Sequence, residues 1–207
     1  MLSAFTAGLL LITISELGDK TFFIAVILSM RHSRKLVFVG VTAALAAMTV
    51  LSVIFGQILS VLTQGSEKYV HYAEIVLFIA FGLKLLYDAW KMPIHAEEEV
   101  IEEAQEAVEK AEIDSQKQSI MSILLKSFVL TFIAEWGDRT QIATIALAAS
   151  NNPIGVTLGA ILGHAICAAI AVIGGKLIAG KISEKQITFL GGILFIIFGI
   201  FATLEGS

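Results

Sequence analysis

The chain has 207 residues, of which 57% are hydrophobic and 15% are charged, and its mean hydropathy is +0.85. A soluble domain averages about 45–50% apolar and about 25% charged residues, so this composition argues against a soluble core. The single cysteine, Cys167, excludes an internal disulfide and a cysteine-based zinc site. The net charge of −4 comes largely from one acidic segment, and we expect no nucleic-acid partner.

Two stretches without Asp, Glu, Lys or Arg, Leu36–Ser66 and Gln141–Gly175, each exceed the roughly 20 residues that cross a bilayer as a helix. The chain is therefore predicted to be an all-α, polytopic membrane protein with six transmembrane helices. Because the first and fourth spans are long for a bilayer, we expect a tilt or a break in them. The six predicted spans are about Leu2–Met30, Leu36–Thr63, Tyr69–Trp90, Ile120–Ala149, Ile154–Gly180 and Lys185–Leu204.

A segment of different composition lies between the third and fourth predicted spans. From Glu97 to Asp114 it carries nine acidic residues and one lysine, with apolar residues at helical spacing. This pattern indicates an exposed acidic amphipathic helix or a solvated linker. The predicted organisation is therefore a first three-helix repeat over residues 1–91, an acidic linker over 92–118 and a second three-helix repeat over 119–207.

The basic residues predict the orientation of the chain in the membrane. Those at one face are Arg31, Arg34, Lys35, Lys91, Lys110, Lys117, Lys126, Lys176, Lys181 and Lys185, whereas the opposite face carries only Lys68. Since positive charge favours the cytoplasm, the acidic linker is predicted to be cytoplasmic. Both termini are then predicted to lie on the non-cytoplasmic side.

The two halves of the chain repeat one another. An offset of 119 residues aligns Glu16 with Glu135, and the same offset aligns Gly40 with Gly159. Because each repeat has an odd number of spans, the second copy starts from the opposite face, which predicts inverted repeats. Inverted repeats are typical of secondary transporters, in which the ion sites lie near the bilayer midplane at the repeat interface.

The clearest aligned segments are Glu16-Leu17-Gly18-Asp19-Lys20-Thr21 and Glu135-Trp136-Gly137-Asp138-Arg139-Thr140. A charge at the centre of a bilayer costs about 2.5–3.5 kcal/mol on insertion scales, so it needs a partner or a wet cavity. Residues three apart share a helix face, so we expect the two acids of each motif to project together and all four to converge. A divalent cation or protons would relieve their repulsion, and competition between the two would give antiport.

The two motifs differ in their surroundings. Gln141 and Thr144 continue the acidic stripe of the second motif, whereas the residues aligned with them, Phe22 and Ala25, are apolar. We therefore expect an asymmetric site with more oxygen ligands in the second half. The candidate metal ligands are Glu16, Asp19, Thr21, Glu135, Asp138, Thr140 and Gln141.

Two further polar residues lie in apolar segments. His164 aligns with Leu45, and a hydrogen-bonded helix contact is favoured over a proton relay for it. Glu74 lies near the start of the third span and is expected to face the lipid headgroups.

With these motifs, the chain resembles a family of small six-helix cation transporters. The family includes the Golgi manganese/calcium transporter of animals and yeast and the manganese transporters of chloroplasts and cyanobacteria. Its hallmark is Glu-x-Gly-Asp-Lys/Arg-Ser/Thr once in each half, and both copies here match at every position.

The resemblance implies export of Mn²⁺ or Ca²⁺ from the cytosol in exchange for protons, with the ion bound at the motif acids. The short chain looks like the bacterial or cyanobacterial branch of the family. That branch implies a bacterial plasma membrane or an internal, thylakoid-like membrane, and it favours manganese. The divalent ion is a transported substrate, and no cofactor is expected.

Other functions remain open from the residues alone. An exporter of a small organic cation or amino acid and a passive cation channel both fit a duplicated six-helix protein. A membrane scaffold acting through the acidic linker is a weaker alternative. An enzyme is not expected, because the sequence has no His-rich metal motif, no nucleophile paired with a base and no phosphate loop. The oligomeric state is open, with a homo-oligomer among the alternatives.

Overall fold

The computed structural model describes residues 1–65, 67–93, 96–113, 119–178 and 183–205, and within these ranges all regular structure is helical. The predicted positions Lys117 and Lys181, and the ends of the acidic linker at 94–95 and 114–118, lie outside the described residues. The helices are α1 (Leu2–Glu16), α2 (Lys20–Arg31), α3 (Arg34–Leu62), α4 (Glu67–Lys91), α5 (Ala96–Ile113), α6 (Ile120–Ala134), α7 (Arg139–Ser150), α8 (Pro153–Ile178) and α9 (Glu184–Glu205).

Four helices in the described part of the chain, α3, α4, α8 and α9, are each long and apolar enough to cross a membrane. The pair α6 and α7 makes a fifth candidate span, bent by 76° at the break between them. Of the tilt or break expected in the fourth span, the structure has the break. The first predicted span is divided between α1, an apolar helix of 15 residues, and α2.

The two breaks have the same backbone geometry and fall in the two acidic motifs. Gly18 has φ 79° and Gly137 has φ 82°, in the left-handed region that costs other residues about 1–2 kcal/mol. Each glycine is followed by an aspartate that begins the next helix, Asp19 with φ −75° and ψ 170° and Asp138 with φ −72° and ψ 168°. A side chain added at Gly137 would meet no atom within 4 Å, so backbone conformation is what requires glycine there.

Helix α8 runs alongside α1 and then α2. Successive glycines of α8 pack against successive backbone segments of α1, with Gly155 against Met1 and Gly163 against Leu9. Further along α8, Ala168 belongs to the same buried cluster as Phe22 of α2. The pair α1 and α2 therefore follows the length of α8 in the same direction.

Helix α3 has the same relation to α6 and α7. Gly40, near the start of α3, packs against Ser127 of α6, and Gly56, near its end, packs against Ile145 of α7. The Gln57 amide also donates a hydrogen bond of 2.6 Å to the Ala148 carbonyl. The pair α6 and α7 therefore follows α3 in the same direction.

Helices α4 and α9 form an antiparallel pair with an aromatic cluster between them. Phe78 and Phe195 are both buried, with ring centroids 5.7 Å apart. Phe81 lies 6.0 Å from Phe195, and Phe198 lies 6.1 Å from Phe78. The pair packs on the rest of the bundle through α7 and α1.

The acidic segment forms α5, which confirms the predicted helix, but it is docked rather than fully solvated. Ala104 and Val108 on its apolar face are completely buried in a cluster with residues of α2 and α3. Its acidic face pairs with α2, where Glu103 accepts a hydrogen bond of 3.0 Å from Lys20. Glu112, at the end of the helix, forms an ion pair with Arg31 and lies within hydrogen-bond distance of His32, at 3.0 Å.

The pKa values of these docking residues are shifted in the directions that ion pairing requires. Burial alone would raise the pKa of Glu112, but the hydrogen bond and charge of Arg31 outweigh it and lower that pKa. The same hydrogen bond raises the pKa of Arg31. The Glu112–Arg31 ion pair is therefore fully present above the usual carboxylate pKa and is lost as pH falls through the lowered pKa of Glu112.

Candidate metal centre

Three carboxylates from the two motifs meet inside the helix bundle. Oxygens of Glu16, Asp19 and Glu135 all lie within 4.8 Å of one another. Glu16 and Glu135 are only 2% exposed. Glu16 is the last residue of α1, Asp19 precedes α2, and Glu135 follows the last residue of α6.

The breaks, rather than helical spacing, bring these acids together. The expectation that Glu16 and Asp19 share one helix face is wrong, because α1 ends at Glu16 and a new helix begins after Asp19. The same holds for Glu135 and Asp138 in the second motif. The helix ends also leave backbone groups without partners inside their own helix, and such ends are common ion sites in transporters.

The two buried glutamates are incompletely satisfied. Oε1 of Glu16 and Oε1 of Glu135 have no hydrogen-bond partner among the described residues. The other oxygen of Glu16 accepts a long hydrogen bond of 3.5 Å from Thr21. Each glutamate also faces the threonine of the other repeat, Glu16 beside Thr140 and Glu135 beside Thr21. Buried charge with unused acceptor atoms is costly unless a ligand completes it.

Asp138 is not one of the three converging carboxylates. Its Oδ1 accepts hydrogen bonds from the backbone amides of Thr140 and Gln141 and from the Thr140 hydroxyl, the last at 2.7 Å. It therefore caps the N-terminus of α7. Asp19 makes no side-chain capping bond to α2. The repeats thus use the same aspartate in different ways.

Gln141 also holds the second break in place. Its side-chain carbonyl accepts a 2.7 Å hydrogen bond from the Gly137 amide, and its amide donates to the Met48 sulfur at 3.0 Å. The side chain is buried between α7 and α3. Its carbonyl oxygen keeps one lone pair beyond the bond to Gly137.

A cavity of about 30 Å³ reaches the aspartates from one side. It is lined by Asp19, Asp138 and Arg139, and by α9 residues from Glu184 to Phe195. It therefore lies on the side where α9 begins, which is also the side where α5 docks. Phe195 also lines this cavity and belongs to the aromatic cluster of α4 and α9.

A second buried acid lies beyond the aromatic cluster. Glu74 is 3% exposed, so the expectation that it faces headgroups is wrong. It accepts a hydrogen bond of 3.1 Å from Asn151 and lies 3.5 Å from His71. These residues line a cavity of about 790 Å³ on the side where α1 begins. An acid within an apolar helix was the sequence signal for this position.

His164 lies beside Glu135, although 29 residues separate them. It is 6% exposed, and its Nδ1 has no hydrogen-bond partner in the described part of the chain. The expected hydrogen-bonded helix contact is therefore not made by this nitrogen. Met48 and Ser52 of α3 line the same small cavity. Sequence reasoning missed both, because neither type stands out within an apolar helix.

Buried carboxylates at paired helix breaks, inside a bundle of helices that are long and apolar enough to span a membrane, are typical of membrane transporters for cations. The family model described as divalent cation/proton antiporter GDT1 matches residues 4–93 and 123–207. The chain therefore belongs to the GDT1 family, which confirms the resemblance seen in the motifs.

Curated relatives agree with this assignment. GDT1-like protein sll0615 of Synechocystis is 58% identical over 204 residues, covering 97% of this chain and 96% of the relative. GDT1-like protein 3 of rice is 44% identical, covering 97% of this chain and 73% of the relative. Protein PAM71-homolog, chloroplastic, of Arabidopsis thaliana is 44% identical, with coverage of 95% and 58%. No solved structure matches the chain.

Proposed function

We propose that this protein exports Mn²⁺ or Ca²⁺ from the cytosol in exchange for protons, using the motif carboxylates as a shared site. The convergence of Glu16, Asp19 and Glu135 within 4.8 Å carries this proposal. At an effective dielectric constant of 20, two ionised carboxylates at that separation repel by about 3–4 kcal/mol. A divalent cation removes this repulsion, and so does protonation. The two ligands then compete for one set of oxygens.

The proposed ligands are the three converging carboxylates, with the second oxygen of Asp138 and oxygens of Thr21, Thr140 and Gln141 completing the site. Calcium takes 6–8 oxygen ligands, and manganese also favours carboxylate and carbonyl oxygen. The unpaired Oε1 atoms of Glu16 and Glu135 are available to such an ion. One ligand set from both repeats would tie ion binding to the relative position of the two halves.

We further propose six spans in two inverted repeats. The broken pair α1–α2 follows α8, and the broken pair α6–α7 follows α3. Since α7 ends and α8 begins beside the end of α3, the helices α3 and α8 run in opposite directions. The two broken spans are then antiparallel, as inverted repeats require.

The packing of α4 and α9 supports a state open to one side. The cavity that reaches Asp19 and Asp138 lies on the face of α5, which is cytoplasmic if the basic residues set the orientation. On the other side, Phe78 and Phe195 separate that cavity from the one containing Glu74. We propose that a cytosolic ion enters past the aspartates and leaves when the aromatic cluster opens.

For the membrane, we propose a bacterial plasma membrane or an internal, thylakoid-like membrane, with both termini on the non-cytoplasmic side. The 58% identity to a Synechocystis protein supports a cyanobacterial setting. A relative named as chloroplastic supports a setting in a photosynthetic organism. Labelling of a Ser3→Cys variant with a membrane-impermeant maleimide tests the orientation, because Cys167 is buried. Labelling from the cytoplasmic side alone would contradict it.

The function is tested by flux of Mn²⁺ or Ca²⁺ into proteoliposomes of purified protein under an imposed proton gradient. We expect flux that stops when the gradient is collapsed and that is lost in Glu135→Gln. Glu103→Gln on α5 is the matched control, because that carboxylate is exposed. Flux that ignores the proton gradient would indicate a channel. Absence of flux for both metals would favour an organic-cation exporter.

A further inference from the structure

A small polar cavity adjoins Glu135. Besides Glu135 and Thr140, it is lined by Met48, Thr49, Ser52, Gln141, Thr144 and His164, which come from α3, α7 and α8. Polar side chains in the middle of a membrane protein are costly and tend to mark ion pathways. This group is more polar than the fold alone requires.

The first repeat has a corresponding cavity beside Glu16, and its lining shows which side chains the fold needs at these positions. Seven of the eight residues that line the cavity beside Glu16 are aligned by the 119-residue offset with residues of the polar cavity, and Val41 is the exception. Phe22, Ala25, Leu45, Cys167 and Ala168 stand there in place of Gln141, Thr144, His164, Met48 and Thr49. The same backbone positions thus pack well with apolar side chains. Packing alone therefore does not explain the polar side chains that line the cavity beside Glu135.

Several atoms of the polar cavity are free to bind a cation. His164 Nδ1 and Glu135 Oε1 are buried without a hydrogen-bond partner among the described residues. The hydroxyls of Thr49 and Ser52 donate to carbonyls of their own helix, at 2.9 and 2.8 Å. Their protons are thus engaged, and their oxygen lone pairs remain as acceptors.

We propose that this cavity is a second cation subsite, adjoining Glu135, in which His164 and Met48 favour a transition ion such as Mn²⁺ over Ca²⁺ and Mg²⁺. This inference rests on the proposed function. Calcium and magnesium bind oxygen ligands almost exclusively. Manganese also favours oxygen, but as a transition ion it accepts imidazole nitrogen and thioether sulfur more readily than they do. The subsite therefore discriminates between ions that the carboxylates alone would accept.

The size of the cavity agrees with a dehydrated ion. Its volume is about 10 Å³, close to the roughly 10–15 Å³ that one water molecule needs. A fully hydrated divalent cation does not fit. The ion must exchange water for protein ligands before it enters, and that exchange is the step at which ligand chemistry selects.

The first test compares Mn²⁺ and Ca²⁺ flux in proteoliposomes for His164→Leu and Met48→Leu. His164→Leu introduces the residue type found at the aligned position of the other repeat, Leu45. We expect the ratio of Mn²⁺ to Ca²⁺ flux to fall at least fivefold while Ca²⁺ flux persists. Leu45→Ile and Cys167→Ala, the matched changes in the apolar cavity, should leave the ratio unchanged.

The second test detects the ligand directly, without transport. Pulsed electron paramagnetic resonance of Mn²⁺ bound to purified protein should show coupling to an imidazole nitrogen. This coupling should vanish in His164→Leu and persist in His71→Gln. Circular dichroism checks that each variant is folded.

The outcomes separate this inference from the proposed function. If the wild-type protein transports metal but His164→Leu keeps both the flux ratio and the nitrogen coupling, the subsite is refuted and the carboxylate site stands. If the wild-type protein neither transports nor binds either metal, the proposed function fails, and this inference fails with it.

Discussion

Asp138 is predicted to have two roles, a structural one in capping α7 and an electrostatic one beside the ion site, which two substitutions can separate. Asp138→Ala removes both the charge and the acceptor oxygen, whereas Asp138→Asn keeps an oxygen for the cap. Three hydrogen bonds end on Oδ1 in the structure, two of them from backbone amides. Loss of an N-cap costs about 0.5–2 kcal/mol.

In a protein of this size, 1 kcal/mol shifts Tm by about 2–4 °C. We therefore expect Asp138→Ala to lower the apparent Tm by several degrees, and Asp138→Asn to lower it much less. Asp19 is the matched control, because it makes no capping bond. Asp19→Ala should leave the apparent Tm unchanged or raise it, since it removes one of three repelling charges.

The assay is thermal unfolding in detergent, followed by circular dichroism, with and without Mn²⁺. A ligand at 100 times its Kd stabilises the folded state by about 2.7 kcal/mol, so wild-type protein should show a clear rise in Tm. Two Asn variants, Asp138→Asn and Asp19→Asn, should each show a smaller rise, because a charge beside the ion is lost. Equal destabilisation by Asp138→Ala and Asp138→Asn would refute the capping role. A full Mn²⁺ response in both Asn variants would refute the electrostatic one.

Three other changes test separate features. Gly137→Ala should lower the free energy of unfolding by about 1–2 kcal/mol through backbone strain alone, and Gly137→Asn should lower it less in the same assay. Equal stability of these two variants and the wild-type protein would show that the break does not need φ near 82°. Gln141→Ala should weaken metal selectivity in flux assays more than Phe22→Ala does, because only Gln141 brings an oxygen to the site, and equal effects would remove the claimed asymmetry. Val108→Asp should release α5, since burial of valine contributes about 1.5–3 kcal/mol; hydrogen exchange in α5 should then rise, unlike in the exposed Glu102→Ala control.

Lowering the pH should also release α5. The lowered pKa of Glu112 reflects stabilisation that is present above its unfolded value and is lost as pH falls through the folded value. Hydrogen exchange within α5 should therefore rise only in acid. In Arg31→Gln, which removes the main partner of Glu112, the rise should begin at higher pH. Identical pH profiles for the two proteins would contradict the ion-pair account.

The all-helical class, the break in the fourth span and the acidic helix were all predictable from local pattern. Runs without charge indicated membrane helices, and the length of the fourth predicted span indicated a tilt or a break. The direction of the side chains at the break was not predictable, because it depends on the positive φ of Gly18 and Gly137. The expected proximity of Glu16 and Asp19 is correct, but the expected cause, a shared face of one straight helix, is wrong.

Contacts between distant parts of the chain were beyond the sequence pattern. The docking of α5 depends on pairs such as Lys20 with Glu103, which are 83 residues apart. The capping role of Asp138 depends on side-chain orientation, which its aligned partner Asp19 does not share. The polar cavity depends on α3, α7 and α8 meeting beside Glu135.

The central claim is that cation and proton compete for the carboxylates of Glu16, Asp19 and Glu135. Isothermal titration calorimetry of Mn²⁺ binding to purified protein, in buffers of different ionisation enthalpy, measures this directly. The account predicts release of protons on binding, seen as a dependence of the measured enthalpy on the buffer, and a smaller release in Glu135→Gln. Binding that releases no protons at any pH between 5 and 8 would contradict it.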